Sequence, residues 1–122
     1  MVLPEMAALM GAPPIRTHED LIALGERVRQ SGYKGLKTNI FLLDPDGGPA
    51  KLHMPGFGRS PGWPALNASP ALVDGLRDQI AALAEGAGDG VGIHLDLNFN
   101  FKPEGYRQIT TGLDDLGLVW FE

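Results

Sequence analysis

Hydrophobic and polar positions divide the chain into alternating stretches of two different periods. Leu21, Leu24 and Val28 recur at i, i+3 and i+7, the spacing of one helical face, and Thr17-His18-Glu19-Asp20 ahead of them has the form of a capping box. This predicts a helix over 17–31, closed at Gly32. From Gly35 to Leu43, residues Leu36, Ile40, Phe41, Leu42 and Leu43 make a nearly continuous apolar run, which predicts a strand over 35–43 covered on both faces. Ser69-Pro70 then supplies an N-cap and a first-turn proline, and Leu72, Val73, Leu76, Ile80 and Leu83 form one stripe, so a second helix is expected over 70–85. Val91 to Asn98 alternates apolar and polar residues, the mark of a strand over 91–98 with His94, Asp96 and Asn98 on one face. Pro103 opens a third helix over 103–112, and Leu118-Val119-Trp120-Phe121-Glu122 reads as a strand over 118–122. The first sixteen residues carry no sustained period, although Met6 to Met10 could make one helical turn.

Helix and strand thus alternate three times, which predicts an α/β fold with parallel strands and right-handed crossovers in a single domain over 1–122. Two architectures fit: a small open doubly wound sheet, or part of an eight-stranded (β/α)8 TIM barrel, which typically needs about 250 residues. The chain ends on the apolar Leu118 to Phe121 and one carboxylate, where a covering helix would normally follow. A partial barrel, a fragment of a longer domain, is therefore expected.

Composition adds a long connection. Between residues 44 and 70, 11 of 27 positions are Gly or Pro, so 44–69 is expected to be a loop. Its His53, Met54, Phe57, Arg59 and Trp63 are unlike a solvated tether, and an ordered lid is the favoured reading. Ten basic and 15 acidic side chains give a net charge of -5, which argues against a nucleic-acid surface or a polybasic membrane anchor. No apolar run reaches the length of a membrane span. Without cysteine there is neither a disulfide framework nor a thiolate metal site, and no secretory signal opens the chain, so a cytoplasmic location is expected.

In either architecture ligands bind at the C-terminal ends of the parallel strands. Those ends carry Lys37-Thr38-Asn39, Asp96-Leu97-Asn98 and Glu122, and the period of two pairs Lys37 with Asn39, Asp96 with Asn98, and Trp120 with Glu122. A carboxylate on a buried strand is costly unless a cation meets it, so Asp96 and Glu122 call for a metal or a base. Two carboxylates and an amide oxygen are hard ligands suited to Mg2+, with Lys37 across the same mouth. The plainer alternative pairs Lys37 with Asp96, lets Asn98 close a turn and leaves Glu122 solvated.

These three stretches, with Gly32-Tyr33-Lys34-Gly35 leading into the first, resemble the enolase superfamily, specifically the mandelate racemase/muconate lactonizing enzyme family. The resemblance covers 17–122, and the separation of 26 positions from Asp96 to Glu122 matches one strand-helix repeat. It implies Asp96 and Glu122 as two of three Mg2+ carboxylates, the third lying on a further strand. It implies catalytic positions at Lys37 and Asn39, Lys37 helping to hold the substrate carboxylate. Asn39 departs from the family pattern, standing where a second lysine is commonly the base, and an amide cannot accept a proton at neutral pH. A Lys-x-Asn variant occurs among sugar-acid dehydratases of the superfamily.

The expected chemistry is Mg2+-assisted abstraction of a proton alpha to a carboxylate, with a sugar-acid dehydratase as first reading. Racemisation, epimerisation or cycloisomerisation on the same platform is the alternative. A non-enzymatic module binding a small anion through Lys37 and Asn98 is a third. Substrate contacts are expected from Lys37, Asn98, Arg59 and Trp63, with Phe57 able to cover a sugar and His53 a weaker candidate. His94 is read as a packed histidine of the inner face rather than a base, and His18 as exposed. The partner is a small carboxylate, with no nucleic acid and no membrane, and the full-length protein is expected to be a homo-oligomer. No turnover is expected of the 122 residues alone, whose open sheet edges should promote association.

Overall fold

Thr17 starts the first helix by direct chemistry: its hydroxyl accepts from the Asp20 amide, while the Asp20 carboxylate accepts from the amides of Thr17 and Arg16. In the computed structural model, which describes residues 13–58 and 64–122, this helix is α1, His18–Gln30. Strand β1, Gly35–Thr38, follows. Then come two short strands, β2 Phe41–Leu42 and β3 Lys51–Leu52, and a 3-10 turn at Pro55–Phe57. Helix α2, Pro70–Ala87, is capped by the Ser69 hydroxyl on the Leu72 amide. Strand β4, Gly92–Leu95, helix α3, Pro103–Gly112, and strand β5, Trp120–Phe121, complete the described order. The possible turn at Met6 to Met10 lies outside the described residues.

Strands β1, β4 and β5 form one parallel sheet in that order, in the register Lys37, His94, Trp120 and, one residue on and turned to the other face, Thr38, Leu95, Phe121. One face of the sheet is the core. There Leu36 and Ile93 pack with Leu21, Ile80 and Leu83, while Leu95 and Leu97 pack with Leu76, Phe101, Ile109 and Leu113. Each such side chain, fully buried, contributes roughly 1.5–3 kcal/mol. Helices α1 and α2 meet backbone to backbone: a Cβ on Gly25 would stand 2.5 Å from the Leu83 carbonyl oxygen, and one on Gly86 only 1.9 Å from that of Ile22. The opposite face carries Lys37, His94 and Trp120, none of which belongs to either core cluster.

Two sequence expectations are corrected. The strand over 35–43 is not one strand covered on both faces: Leu36, Thr38 and Ile40 are buried, while Gly35 and Lys37 are exposed. It also breaks after Thr38, where the chain leaves the sheet and Phe41–Leu42 pairs antiparallel with Lys51–Leu52. The break is held by Gln79 of α2, only 2% exposed, whose amide oxygen accepts from the Phe41 N–H at 3.0 Å. Its nitrogen donates to the Thr38 hydroxyl at 3.0 Å and the Asn39 carbonyl at 2.7 Å. Within the connection 44–69, read from the sequence as an ordered loop, the described residues hold β3, the 3-10 turn and a bridge from Ala65 to Phe101. Strands β4 and β5 are shorter than the expected spans 91–98 and 118–122, and α2 runs two residues further, to Ala87, before Gly88 at φ 70° ends it. Among the described residues no helix is long and apolar enough to cross a membrane.

Candidate active site at the strand ends

The parallel ladder continues one residue past the strands. The Asp96 N–H donates to the Thr38 carbonyl at 2.8 Å, the Glu122 N–H to that of Leu95 at 2.9 Å, and the Leu97 N–H to that of Glu122 at 2.7 Å. Asp96 and Glu122 therefore stand side by side on the rung above His94 and Trp120, and period two turns them away from the core. Asn39 belongs to the same level, where its side-chain amide donates to the Asp96 carbonyl at 3.2 Å.

Lys37 rises to this level from the rung below. Its Nζ lies 2.8 Å from Asp96 Oδ2 and is also hydrogen-bonded to Glu122 Oε2, so one cation meets both carboxylates. These contacts, with Asp96 the larger influence and Glu122 next, raise the lysine above its ordinary value, and the side chain is an ammonium at neutral pH. The Asp96 carboxylate is only 15% exposed, and the ammonium meets it there. Below the ammonium lies the Trp120 ring, 5.9 Å from Nζ to centroid, and the His94 ring meets Trp120 edge-on at 5.6 Å. The Nδ1 atom of His94 is buried without a hydrogen-bond partner among the described residues.

The plainer alternative drawn from the sequence finds its contacts too: Lys37 pairs with Asp96, and the Asn98 N–H donates to Asp96 Oδ1 at 2.8 Å, closing a turn. Asn98, however, does not share the face of Asp96 as part of an extended strand. Its φ of 51° is left-handed, and its carbonyl accepts the Tyr106 hydroxyl at 2.5 Å, so the strand's period ends at Leu97. Its side-chain Nδ2 is buried and unpartnered. Arg59 and Trp63 lie outside the described residues. Phe57 is exposed and stacks at 4.2 Å on Phe99. His53 lines a cleft with Leu42, Ala65, Asn67, Ser69 and Leu72, where burial lowers its pKa. His18 is exposed.

Three supports escaped the sequence reading. Gln79 interrupts the apolar stripe of α2 at a position facing inward, and a polar residue on a buried helical face was the available signal. Asn100, also 2% exposed, accepts from the Gly56 N–H and donates to the Leu97 carbonyl, tying the 3-10 turn to the loop after β4. Tyr106 fixes the Asn98 backbone from α3.

A divalent cation fits this donor set in part. Asp96 and Glu122 offer hard oxygens that already converge on one cationic nitrogen, and Mg2+ is commonly held by one or two carboxylates with waters. Among the described residues no group of three or more His, Cys, Asp or Glu converges.

No protein-family model and no curated protein matches the chain. Among solved structures it is similar to a protein of Burkholderia xenovorans strain LB400 assigned as an L-alanine-DL-glutamate epimerase and bound to magnesium and fumarate, at 41% identity and a TM-score of 0.80. That match covers 90% of this chain and 27% of the other. A member of the enolase superfamily from Salmonella Typhimurium shares the fold at 15% identity and a TM-score of 0.64, over 88% of this chain and 25% of that one. So does a mandelate racemase/muconate lactonizing enzyme-like protein from Rubrobacter xylanophilus DSM 9941, at 21% identity and 0.59, over 85% and 23%. The chain thus spans about a quarter of the length of the structures it matches. With three parallel strands, helices on one face and acidic residues at successive strand ends, the chain is similar in fold to enolase-superfamily structures and carries part of a (β/α)8 barrel.

Proposed function

We propose that this chain serves the abstraction of a proton alpha to a carboxylate, in a racemase or epimerase acting on a small carboxylic acid. The observation that carries this reading is the meeting of Lys37, Asp96 and Glu122 at adjacent strand ends. The likeness to a protein assigned as an epimerase supports it over the dehydratase reading. That relative's name makes a dipeptide ending in glutamate the first substrate to try, and its bound fumarate and magnesium suit a carboxylate-and-metal site.

Such a proton is barely acidic, so the site must favour the negative charge that its removal creates. Asp96 and Glu122 would hold Mg2+, which when bound supplies electrostatic stabilisation of the enediolate, a use of metal and base that enolase-superfamily sites already exemplify. Lys37, kept protonated, attracts the substrate carboxylate and can return a proton. Asn39 can only donate hydrogen bonds from its Nδ2 and accept at its oxygen, and it spends the former on the Asp96 backbone.

Asn39 also favours a second reading. A lysine-amide pair at the first strand end suits a sugar-acid dehydratase, in which another group removes the proton. Both readings are separated by product. The full-length protein, incubated with Mg2+ in D2O, should introduce deuterium at the alpha carbon of a glutamate-containing dipeptide, seen by proton NMR. Loss of a beta-hydroxyl from a sugar acid would select the dehydratase. Exchange with neither class, or exchange unchanged by Asp96→Ala, would overturn the proposal.

A further inference from the structure

Lys37, His94 and Trp120 occupy one rung across all three parallel strands, and all three point away from the core. The lysine must climb one rung to reach Asp96 and Glu122, so something has to fix the direction of its four-carbon shaft. Free in solution, that shaft carries a large rotamer entropy. The Trp120 ring lies under the ammonium at 5.9 Å, within cation-π range, and His94 stands edge-on to the same ring at 78°. A Cβ on Gly35 would lie 3.3 Å from the His94 Nε2, so the imidazole fills the space that this glycine leaves, while beside Gly92 the space is taken by Val119, whose Cγ2 would lie 2.6 Å from a Cβ there.

We propose that Trp120 is the positioning residue of Lys37, a ring platform braced by His94 that aims the ammonium at Asp96 and Glu122. The packing of the three side chains stands without any catalytic claim, and only its consequence for substrate binding rests on the reading of Lys37 given above. A platform that presents the ammonium to a carboxylate should affect substrate capture more than turnover. Its loss is expected to raise the KM for a carboxylate substrate about two- to five-fold, with a smaller change in kcat.

In the full-length protein, lysine labelled with carbon-13 gives an NMR spectrum in which the Lys37 signal is the one that Lys37→Met removes. Its Hε signal should lie upfield of the bulk of the lysines and show a nuclear Overhauser effect to the Trp120 ring. Trp120→Leu should return it to the position of the others, and Trp120→Phe should keep part of the shift. In the reciprocal measurement, needing no change at 120, Lys37→Met should move the Trp120 ring signals. A Lys37 Hε shift coincident with those of the other lysines, or Trp120 signals indifferent to Lys37→Met, would overturn the platform whatever the activity. A platform seen by NMR in a full-length protein that exchanges no alpha proton would instead overturn only the catalytic reading.

Discussion

Gln79 donates to the hydroxyl of Thr38 at 3.0 Å from the far side of the sheet, and the same amide serves the backbone at Asn39 and Phe41. The contact decides where β1 stops and hence where Lys37 and Asn39 stand. Replacing Gln79 by Leu keeps the volume but strands the Phe41 N–H and the Asn39 carbonyl. Leaving a buried group unsatisfied costs about 1–3 kcal/mol, so urea unfolding should show a loss of at least that order. An unchanged midpoint would mean that water reaches these groups.

Gly86 and Gly75 lie on the same helix and should respond in opposite senses to alanine. Gly75 has no heavy atom within 4 Å of the added Cβ, so Gly75→Ala should stabilise by about 0.5–1 kcal/mol through helix propensity alone. Gly86→Ala meets the Ile22 carbonyl and should destabilise by about 1–3 kcal/mol, as overpacking does. Thermal melts of the two variants give the sign directly.

These contacts show what a linear reading captures. Caps at Thr17, Ser69-Pro70 and Pro103 are local, so α1, α2 and α3 start where the residues say. The break after Thr38 depends on a side chain 41 residues away, and the left-handed Asn98 on a hydroxyl from the next helix. The first leaves only a polar residue in the apolar stripe of α2, and the second leaves no periodic trace. The acidic strand ends were readable as residue types, but their meeting at one lysine is a property of register.

Asp20 links helix α1 to acid stability. Hydrogen bonds from the Arg16 and Thr17 amides, the Arg16 one first, lower its pKa below the ordinary aspartate value near 3.8. Its contribution is therefore present above about pH 4 and is lost as the pH falls through the lowered value. Asp20→Ala should be less stable than the parent at pH 7, with the gap closing toward pH 2 in denaturant titrations.

Asp96→Asn keeps shape and removes one charge from the carboxylate pair. In the full-length protein, Mn2+ used as a paramagnetic stand-in for Mg2+ should bind at least 10- to 100-fold more weakly, the range known for groups that merely orient ligands. Equal affinity by electron paramagnetic resonance would remove Asp96 from the metal-binding role.

Parallel pairing of β5 with β4 carries a further implication. A slip of one residue would turn Phe121 away from the core and send Trp120 and Glu122 to the helix side, because side chains alternate at every step. A carboxylate and the ring beneath the lysine would vanish together. Misassembled molecules should therefore lose both groups at once rather than one by one, and the docking of β5 becomes an all-or-none checkpoint on the site.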